Sequence, residues 1–248
     1  MSSAASPQST ENWLIKAKHV LDVEIQGVEA VRNRLGDSFV QALELMARCT
    51  GRVVVCGLGK SGLVGRKIAA TRSSTGTPSF FLHPVEGAHG DLGMIRTEDV
   101  ILAISYSGET DELNNILPSL KSLAGGVIGL TGGVNSTMAG LCDLVIDVAV
   151  PAEACPLGVA PTSSTTATLA VGDALAVCLI DWKSFAIEDF RRFHPGGALG
   201  QRLAQKVDEL MRTTGLPTVP RGASLGQALE CLNRGRLGCV CVLDRGGR

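Results

Sequence analysis

The residues with the strongest chemical signature form the stretch Gly57-Leu58-Gly59-Lys60-Ser61-Gly62, which directly follows an apolar run. Two phosphate-binding patterns match it in part. The Walker A pattern requires a glycine with four residues between it and the Gly-Lys pair, and that position holds Val54. The dinucleotide pattern requires an acidic residue at the end of the second strand, where Phe-Phe-Leu-His-Pro precedes Glu86. The stretch therefore predicts neither a triphosphate nor a dinucleotide site.

A simpler function of this glycine-rich turn is anion binding. A turn at the carboxyl end of a strand that opens a helix places backbone N–H groups beside an anion. Lys60 projects into the same crevice. The alternative is a tight turn with a solvated lysine.

A second candidate follows the third predicted strand, in Ile104-Ser105-Tyr106-Ser107-Gly108-Glu109-Thr110. Three hydroxyls and a glycine at a helix N-terminus form a cradle that fits one phosphate without a metal. The alternative is N-capping by Ser107 or Thr110. Capping accounts for one hydroxyl and not for three, so we favour a phosphate.

Metal and disulfide chemistry have weaker support. His83, Glu86 and His89 could hold zinc, but they lack the helical i, i+4 spacing of a designed site. The eight cysteines form no C-x-x-C pair, and four of them lie inside apolar runs, namely Cys56, Cys142, Cys178 and Cys239. They predict buried reduced thiols and a cytoplasmic protein.

Alternating strands and helices must position these residues. Short β-branched strands are predicted at Val53–Cys56, Ser79–Leu82, Val100–Ile104, Val127–Leu130 and Leu144–Val148. Helices are predicted at Leu14–Leu35, Asp37–Cys49, Leu63–Ser73, Glu112–Leu123 and Thr165–Lys183. This alternation is typical of α/β proteins and predicts a doubly wound parallel five-stranded sheet flanked by helices. The last helix is so apolar that we expect it to be buried, in part against another subunit.

Composition excludes several classes of protein. The chain has 248 residues, a net charge of −1 and 4% aromatic residues, which gives no reason to expect nucleic acid or an anionic membrane as a partner. No apolar run reaches membrane-spanning length. The N-terminus does not have the charge pattern of a signal peptide, and residues 1–12 are predicted to be a disordered tail. We assign residues 13–205 to the α/β domain and residues 206–248 to an incomplete second module.

Five motifs in order carry a family resemblance: GLGKSG, HPVEGAHGDLGM, S-x-S-G-E-T, PAEACPLGVAPTSSTTATLAVGDALA and FHPGGALG. The first three resemble a sugar isomerase (SIS) domain, and the last two resemble the arabinose-5-phosphate isomerase family. That family interconverts D-ribulose 5-phosphate and D-arabinose 5-phosphate, toward the 3-deoxy-octulosonate of lipopolysaccharide and some capsules. VDELM onward resembles the first half of the family's cystathionine-β-synthase-type (CBS) pair, so we expect a truncated CBS fragment and no adenosine ligand.

The resemblance implies an enediol mechanism at Lys60, Glu112, Glu153 and His194. Lys60 would stabilise the developing oxyanion, the carboxylates would transfer protons, and His194 would assist ring opening or move the proton. The division between the carboxylates stays open. Glu153, which lies among apolar residues, is expected to have a raised pKa or a partner. Glu112 also suits a first helical turn, and His194 also suits a structural turn.

Further implications concern ligands and assembly. Substrate contacts are expected from Ser61, Gly76, Thr77, His83, His89, Ser105, Ser107 and Thr110. No cofactor is required, although zinc at His83 is expected to inhibit, and the expected assembly is a homotetramer. The alternatives are a sugar-phosphate sensor, which usually carries a helix-turn-helix domain, and an isomerase of another sugar phosphate. The first fifty residues are too few and insufficiently basic for such a DNA-binding domain.

Overall fold

The computed structural model describes residues 7–194 and 207–244. These residues form two compact units, the first ending at Phe193 and the second beginning at His194. The boundary predicted between residues 205 and 206 lies further along the chain, and residues 195–206 fall outside the described part.

A five-stranded parallel sheet forms the centre of the first unit, as predicted. Its strand order is β2-β1-β3-β4-β5. The strands are β1 (Val53–Gly57), β2 (Ser79–Leu82), β3 (Val100–Ile104), β4 (Gly126–Thr131) and β5 (Leu144–Asp147). Every residue of β1, β3 and β4 is buried, which explains their nearly continuous apolar sequences. The chain order reverses between β1 and β3, and in such sheets a ligand crevice opens at that point.

Helices cover both faces of the sheet. They are α1 (Pro7–Arg34), α2 (Asp37–Arg48), α3 (Gly59–Ser74), α4 (Pro84–Ala88), α5 (Asp111–Leu123), α6 (Thr137–Leu141), α7 (Ser163–Trp182) and α8 (Ile187–Phe193), with a 3-10 turn at Asp91–Met94. One core joins the sheet to α1, α2, α3 and α7. The opposite core joins it to α5 and α6. Consequently α3 and α5, which follow the adjacent strands β1 and β3, lie on opposite faces.

The apolar helix α7 is a core helix of the chain itself. It packs against α1, α2 and α3, and Ala167, Val171, Leu175 and Leu179 are buried on it. By length and composition alone α7 could cross a membrane, contrary to the expectation that no apolar stretch is long enough. Half of the apolar window is buried inside the chain, so packing accounts for its composition.

Helix α1 begins at Pro7, so the structure places helix where the last part of a disordered tail was predicted. Residues 1–6 lie outside the described part. Proline is compatible with the first turn of a helix, because its missing N–H would have no partner there.

The second unit is described from His194 to Asp244 with the gap noted above. It contains α9 (Val207–Leu210), β6 (Thr218–Pro220), α10 (Leu225–Gly235) and β7 (Cys241–Leu243). The two strands pair in parallel, with Val219 opposite Val242. Helix α10 begins with a capping box, in which the Ser224 hydroxyl accepts from the Gln227 backbone and Gln227 accepts from the Ser224 backbone.

The cysteine prediction is partly wrong. All eight thiols are free, and Cys56 is buried, with its pKa raised to about 12 by desolvation. Cys142 and Cys178 are half-buried, and burial raises the pKa of Cys142 to about 12. Cys239, predicted to be buried, is exposed, because it precedes a strand of a small two-stranded sheet that leaves its apolar residues accessible.

Candidate active site

A cavity of about 480 Å³ opens at the carboxyl ends of β1 and β3, where the strand order reverses. It gathers six of the predicted site residues: Lys60, Ser61, Ser105, Ser107, Thr110 and Glu153. Its remaining walls include Tyr106 and residues at the start of α7. The cavity is therefore built from the two loops singled out by the sequence and from the segment that precedes α7.

The loop after β3 forms a cradle of hydroxyls, defined as Ser105, Ser107 and Thr110. The hydroxyls of Ser105 and Thr110 lie 2.8 Å apart, and the Gly108 backbone nitrogen donates to Ser105 Oγ at 3.1 Å. Thr110 stands at the N-cap position of α5, but its side chain makes no capping hydrogen bond. Capping thus does not explain the Thr110 hydroxyl, which supports the phosphate interpretation.

Gly108 gives the cradle its shape. Its φ of 72° lies in the left-handed region, and a Cβ at this position would come within 1.9 Å of Ser136 Oγ. A side chain at residue 108 would therefore be both strained and in collision with the neighbouring turn.

The glycine-rich loop after β1 brings the N-terminus of α3 to the same cavity. The N-cap residue Leu58 has no polar side chain, so the first N–H groups of α3 receive no capping hydrogen bond from it. A Cβ on Gly57 would lie 2.9 Å from the carbonyl oxygen of Ile104, its partner at the end of β3, so the two loops leave the sheet side by side. Lys60 is exposed and borders both this cavity and a second one of about 460 Å³.

Glu153 is held by the start of α7. Its Oε2 atom accepts from the Thr162 backbone nitrogen at 2.7 Å, from the Thr162 hydroxyl at 2.9 Å and from the Ser164 nitrogen at 3.3 Å. Partial burial acts to raise the pKa of Glu153, but hydrogen bonds from Ser164 and Thr162 outweigh it and lower the pKa below its usual value. Of the two expected alternatives, a raised pKa or a partner, the structure shows the partner.

Two predicted histidines of the first unit, His83 and His89, do not line the hydroxyl-lined cavity. His83 borders the second cavity with Lys60, Arg66 and Phe81, and its Nδ1 is buried without a hydrogen-bond partner in the described part of the chain. His89 is exposed at the end of α4. Among residues 7–194 and 207–244, no three His, Cys, Asp or Glu side chains are grouped to hold a metal ion. Zinc at His83 stays a prediction.

Three further predicted residues of the first unit do not line this cavity, namely Glu112, Gly76 and Thr77. Glu112 is exposed in the first turn of α5. Gly76 and Thr77 precede β2 at the opposite edge of the sheet, where Gly76 borders a third cavity and the Thr77 hydroxyl accepts from Lys183 Nζ at 3.2 Å. His194 is the first residue of the second unit, so its role stays a prediction.

Several wall residues were not predicted. Ser164, Thr165 and Thr168 line the cavity from the first two turns of α7, and Tyr106 lines it from the cradle loop. The run of hydroxyl residues at positions 162–166, before an apolar helix, was the available signal for the α7 residues. No pattern near Tyr106 indicated its role, because the residues that it contacts are distant from it in the sequence.

The chain is similar in sequence and in fold to known sugar-phosphate isomerases. Residues 46–178 match the model of the SIS domain. The chain is 50% identical over 228 residues to arabinose 5-phosphate isomerase KdsD of Escherichia coli K12, covering 92% of this chain and 70% of that protein. It is 49% identical to KdsD of Pseudomonas aeruginosa, covering 96% and 73% of the two chains. A solved structure of an Escherichia coli CFT073 protein in complex with A5P has a TM-score of 0.72 and 42% identity, covering 77% of this chain and all of that one.

Proposed function

This chain belongs to the SIS-domain arabinose 5-phosphate isomerases, and from that membership we propose that it interconverts D-ribulose 5-phosphate and D-arabinose 5-phosphate. The observation that supports the proposal best is the cavity in which a hydroxyl cradle, a lysine amine and an ionised carboxylate line one space. These are the groups that an aldose–ketose isomerisation of a sugar phosphate requires.

The phosphate would be bound by the cradle and by the N-terminal N–H groups of α3 and α5. Lys60 and Ser61 of α3 and the N-cap residue Thr110 of α5 line the cavity, so both helices begin beside it and their macrodipoles favour an anion there. Because these contacts are remote from the reacting carbons, they would hold substrate and transition state about equally. They would therefore set affinity more than turnover.

The proton transfer would occur between C1 and C2 of the open-chain sugar. A base removes a proton from C1 of the ketose, and the resulting enediolate carries the negative charge on O2. A proton then moves from O1 to O2, and protonation of C2 as the C1 carbonyl forms gives the aldose. The lowered pKa keeps Glu153 ionised near neutral pH but makes it a weaker base than a free glutamate, so its position on the cavity wall is what supports the role of proton acceptor. Lys60, on the same cavity wall, would stabilise the enediolate oxygen.

A direct assay tests the proposed reaction. The purified chain is incubated with D-ribulose 5-phosphate, and D-arabinose 5-phosphate is followed by NMR, with Glu153→Gln as the control variant. We expect turnover by the wild type and its near loss in the variant. Turnover of a hexose or heptose phosphate, with none of ribulose 5-phosphate, would contradict the substrate assignment.

We further propose a cytoplasmic homotetramer that supplies 3-deoxy-octulosonate synthesis, with residues 206–248 as a CBS fragment. Free thiols agree with a reducing compartment. Helices α1 and α7 expose large apolar side chains that a neighbouring subunit would cover: Trp13, Ile15, Leu21, Val177 and Trp182. Contact between subunits would also allow residues that do not line the cavity of their own chain to contribute to the cavity of a neighbouring subunit. Light scattering that shows a stable monomer at micromolar concentration would contradict the assembly.

A further inference from the structure

Tyr106, the one tyrosine of the sequence, stands inside the cradle loop between Ser105 and Ser107 and lines the cavity. Its ring is half-buried and packs against the core that contains α7. Phosphate binding by the cradle requires neither an aromatic ring nor a phenol hydroxyl at this position, so the tyrosine needs another explanation.

The neighbouring turn fixes the orientation of Tyr106. Its backbone carbonyl oxygen accepts from the nitrogens of Gly132 at 2.9 Å and Gly133 at 3.2 Å, and from the Thr131 hydroxyl at 3.2 Å. The ring lies against Gly132, where a Cβ would come within 2.7 Å of a ring carbon. Both ends of the residue are thus held, which limits where the phenol oxygen can lie.

The phenol oxygen reaches a different segment, the connection between β5 and α7. It accepts from the Val150 backbone nitrogen at 3.0 Å. Val150 stands three residues before Glu153, whose carboxylate is bound to Thr162 at the far end of the same connection. Before Val150 the connection is attached to the sheet, where the Val148 nitrogen donates to the Thr131 carbonyl oxygen at 2.9 Å.

We propose that Tyr106 is a positioning residue, whose phenol oxygen ties the Glu153-bearing connection to the phosphate cradle. The inference rests on the proposed isomerase function. A substrate bound by its phosphate presents its reacting carbons at a fixed distance from the cradle. Holding Glu153 to that same cradle fixes the carboxylate relative to those carbons, and small displacements of a proton acceptor cost a large part of the rate.

The test uses Tyr106→Phe, which keeps the ring, the Gly132 contact and the cavity wall and removes the acceptor for Val150. We expect kcat to fall about 10-fold and KM to change by less than about twofold, because the phosphate contacts remain. Tyr106→Phe is then combined with Glu153→Gln. If Tyr106 acts through Glu153, the double variant is no slower than Glu153→Gln alone. Independent, multiplicative losses would overturn the proposal, as would an unchanged kcat in Tyr106→Phe.

A second measurement does not depend on activity. Amide hydrogen exchange of residues 149–154 should be faster in Tyr106→Phe than in the wild type, while exchange in β4 stays the same. Unchanged exchange at residues 149–154 would show that the tie does not hold the connection. Absence of isomerase activity in the wild type would instead contradict the proposed function, so the two failures are distinguishable.

Discussion

Glu153 and Thr162 form a clasp across the connection that leads into α7. One carboxylate oxygen accepts both the backbone N–H of Thr162, at 2.7 Å, and its hydroxyl, at 2.9 Å. Thr162 in turn accepts from the Ala154 nitrogen at 2.9 Å through its hydroxyl oxygen. The same carboxylate that faces the cavity therefore also closes the loop and satisfies the first turn of a helix, which couples the chemistry of the site to the stability of α7.

That coupling predicts a pH-dependent stability difference between the wild type and Glu153→Gln. Because the folded-state pKa of Glu153 is lowered, its contribution is present above the pKa of a free glutamate and is lost as the pH falls through the folded-state pKa. We expect the wild type to have the higher Tm at pH 7. The two Tm values should converge as the pH falls below the pKa of a free glutamate. Thermal unfolding at a series of pH values measures this. A constant Tm difference down to pH 3 would contradict it.

Lys60→Ala should lower kcat by roughly 10²-fold, the scale for loss of one charge-stabilising group, with a smaller change in KM. The matched control is Lys67→Ala on the same helix. Lys67 pairs with Asp173 and does not line the cavity, so its loss should leave kcat nearly unchanged. Steady-state kinetics with ribulose 5-phosphate compare the two. Near-normal kcat in Lys60→Ala would show that the loop has another function.

Ser107→Ala combined with Thr110→Val should raise KM more than it lowers kcat. These changes remove hydroxyls from the cradle, which lies away from the reacting carbons. Such contacts stabilise the bound substrate and the transition state equally, so their loss weakens binding and raises KM. Calorimetry should show weaker binding of inorganic phosphate to the double variant and no binding of nicotinamide dinucleotides to either protein. Micromolar affinity for a dinucleotide would contradict the anion-site interpretation.

Gly108→Ala should both destabilise the fold and raise KM. The positive φ and the approach to Ser136 leave no room for a Cβ. Gly140→Ala is the matched control, because Gly140 lies in helix α6 and a Cβ there would meet no atom within 4 Å. We expect the control to be neutral or slightly stabilising in thermal unfolding. Equal Tm values for the two variants would mean that the cradle tolerates a side chain at residue 108.

Metal removal should leave the reaction intact. If side chains move the proton, EDTA leaves kcat unchanged or higher, and added zinc lowers the rate through His83, whose Nδ1 is buried without a partner in the described part of the chain. His83→Gln should then weaken the inhibition by zinc. Activity that is lost on EDTA treatment and restored by a metal would contradict a metal-free mechanism.

The sheet was predictable from the sequence because strands that are buried on both faces have a simple sequence pattern. Strands buried on both sides must be apolar throughout, and the predicted starts and ends of β1 and β3 differ from the observed ones by at most one residue. The two phosphate loops were predictable for a related reason, since glycines and hydroxyls directly after such strands must lie at one edge.

Contacts between distant segments were not predictable in the same way. The apolar neighbours of Glu153 suggested a raised pKa or a partner, but they did not indicate that the donors that lower the pKa belong to Thr162 and Ser164. The same donors help set the start of α7 at Ser163, two residues before the predicted start. Tyr106 was missed because its hydrogen bond to Val150 spans 44 residues and follows no periodic pattern.

The placement of α3 and α5 on opposite faces of the sheet has an electrostatic consequence. Each helix begins beside the cavity, and neither is capped by the side chain of its own N-cap residue. Each end carries the equivalent of about half a positive elementary charge, so the backbone alone supplies about one positive charge to a phosphate. This charge comes from backbone groups that do not titrate, and no single side-chain substitution removes it. Preference for an anion should therefore persist at a pH where every carboxylate and histidine has changed its charge.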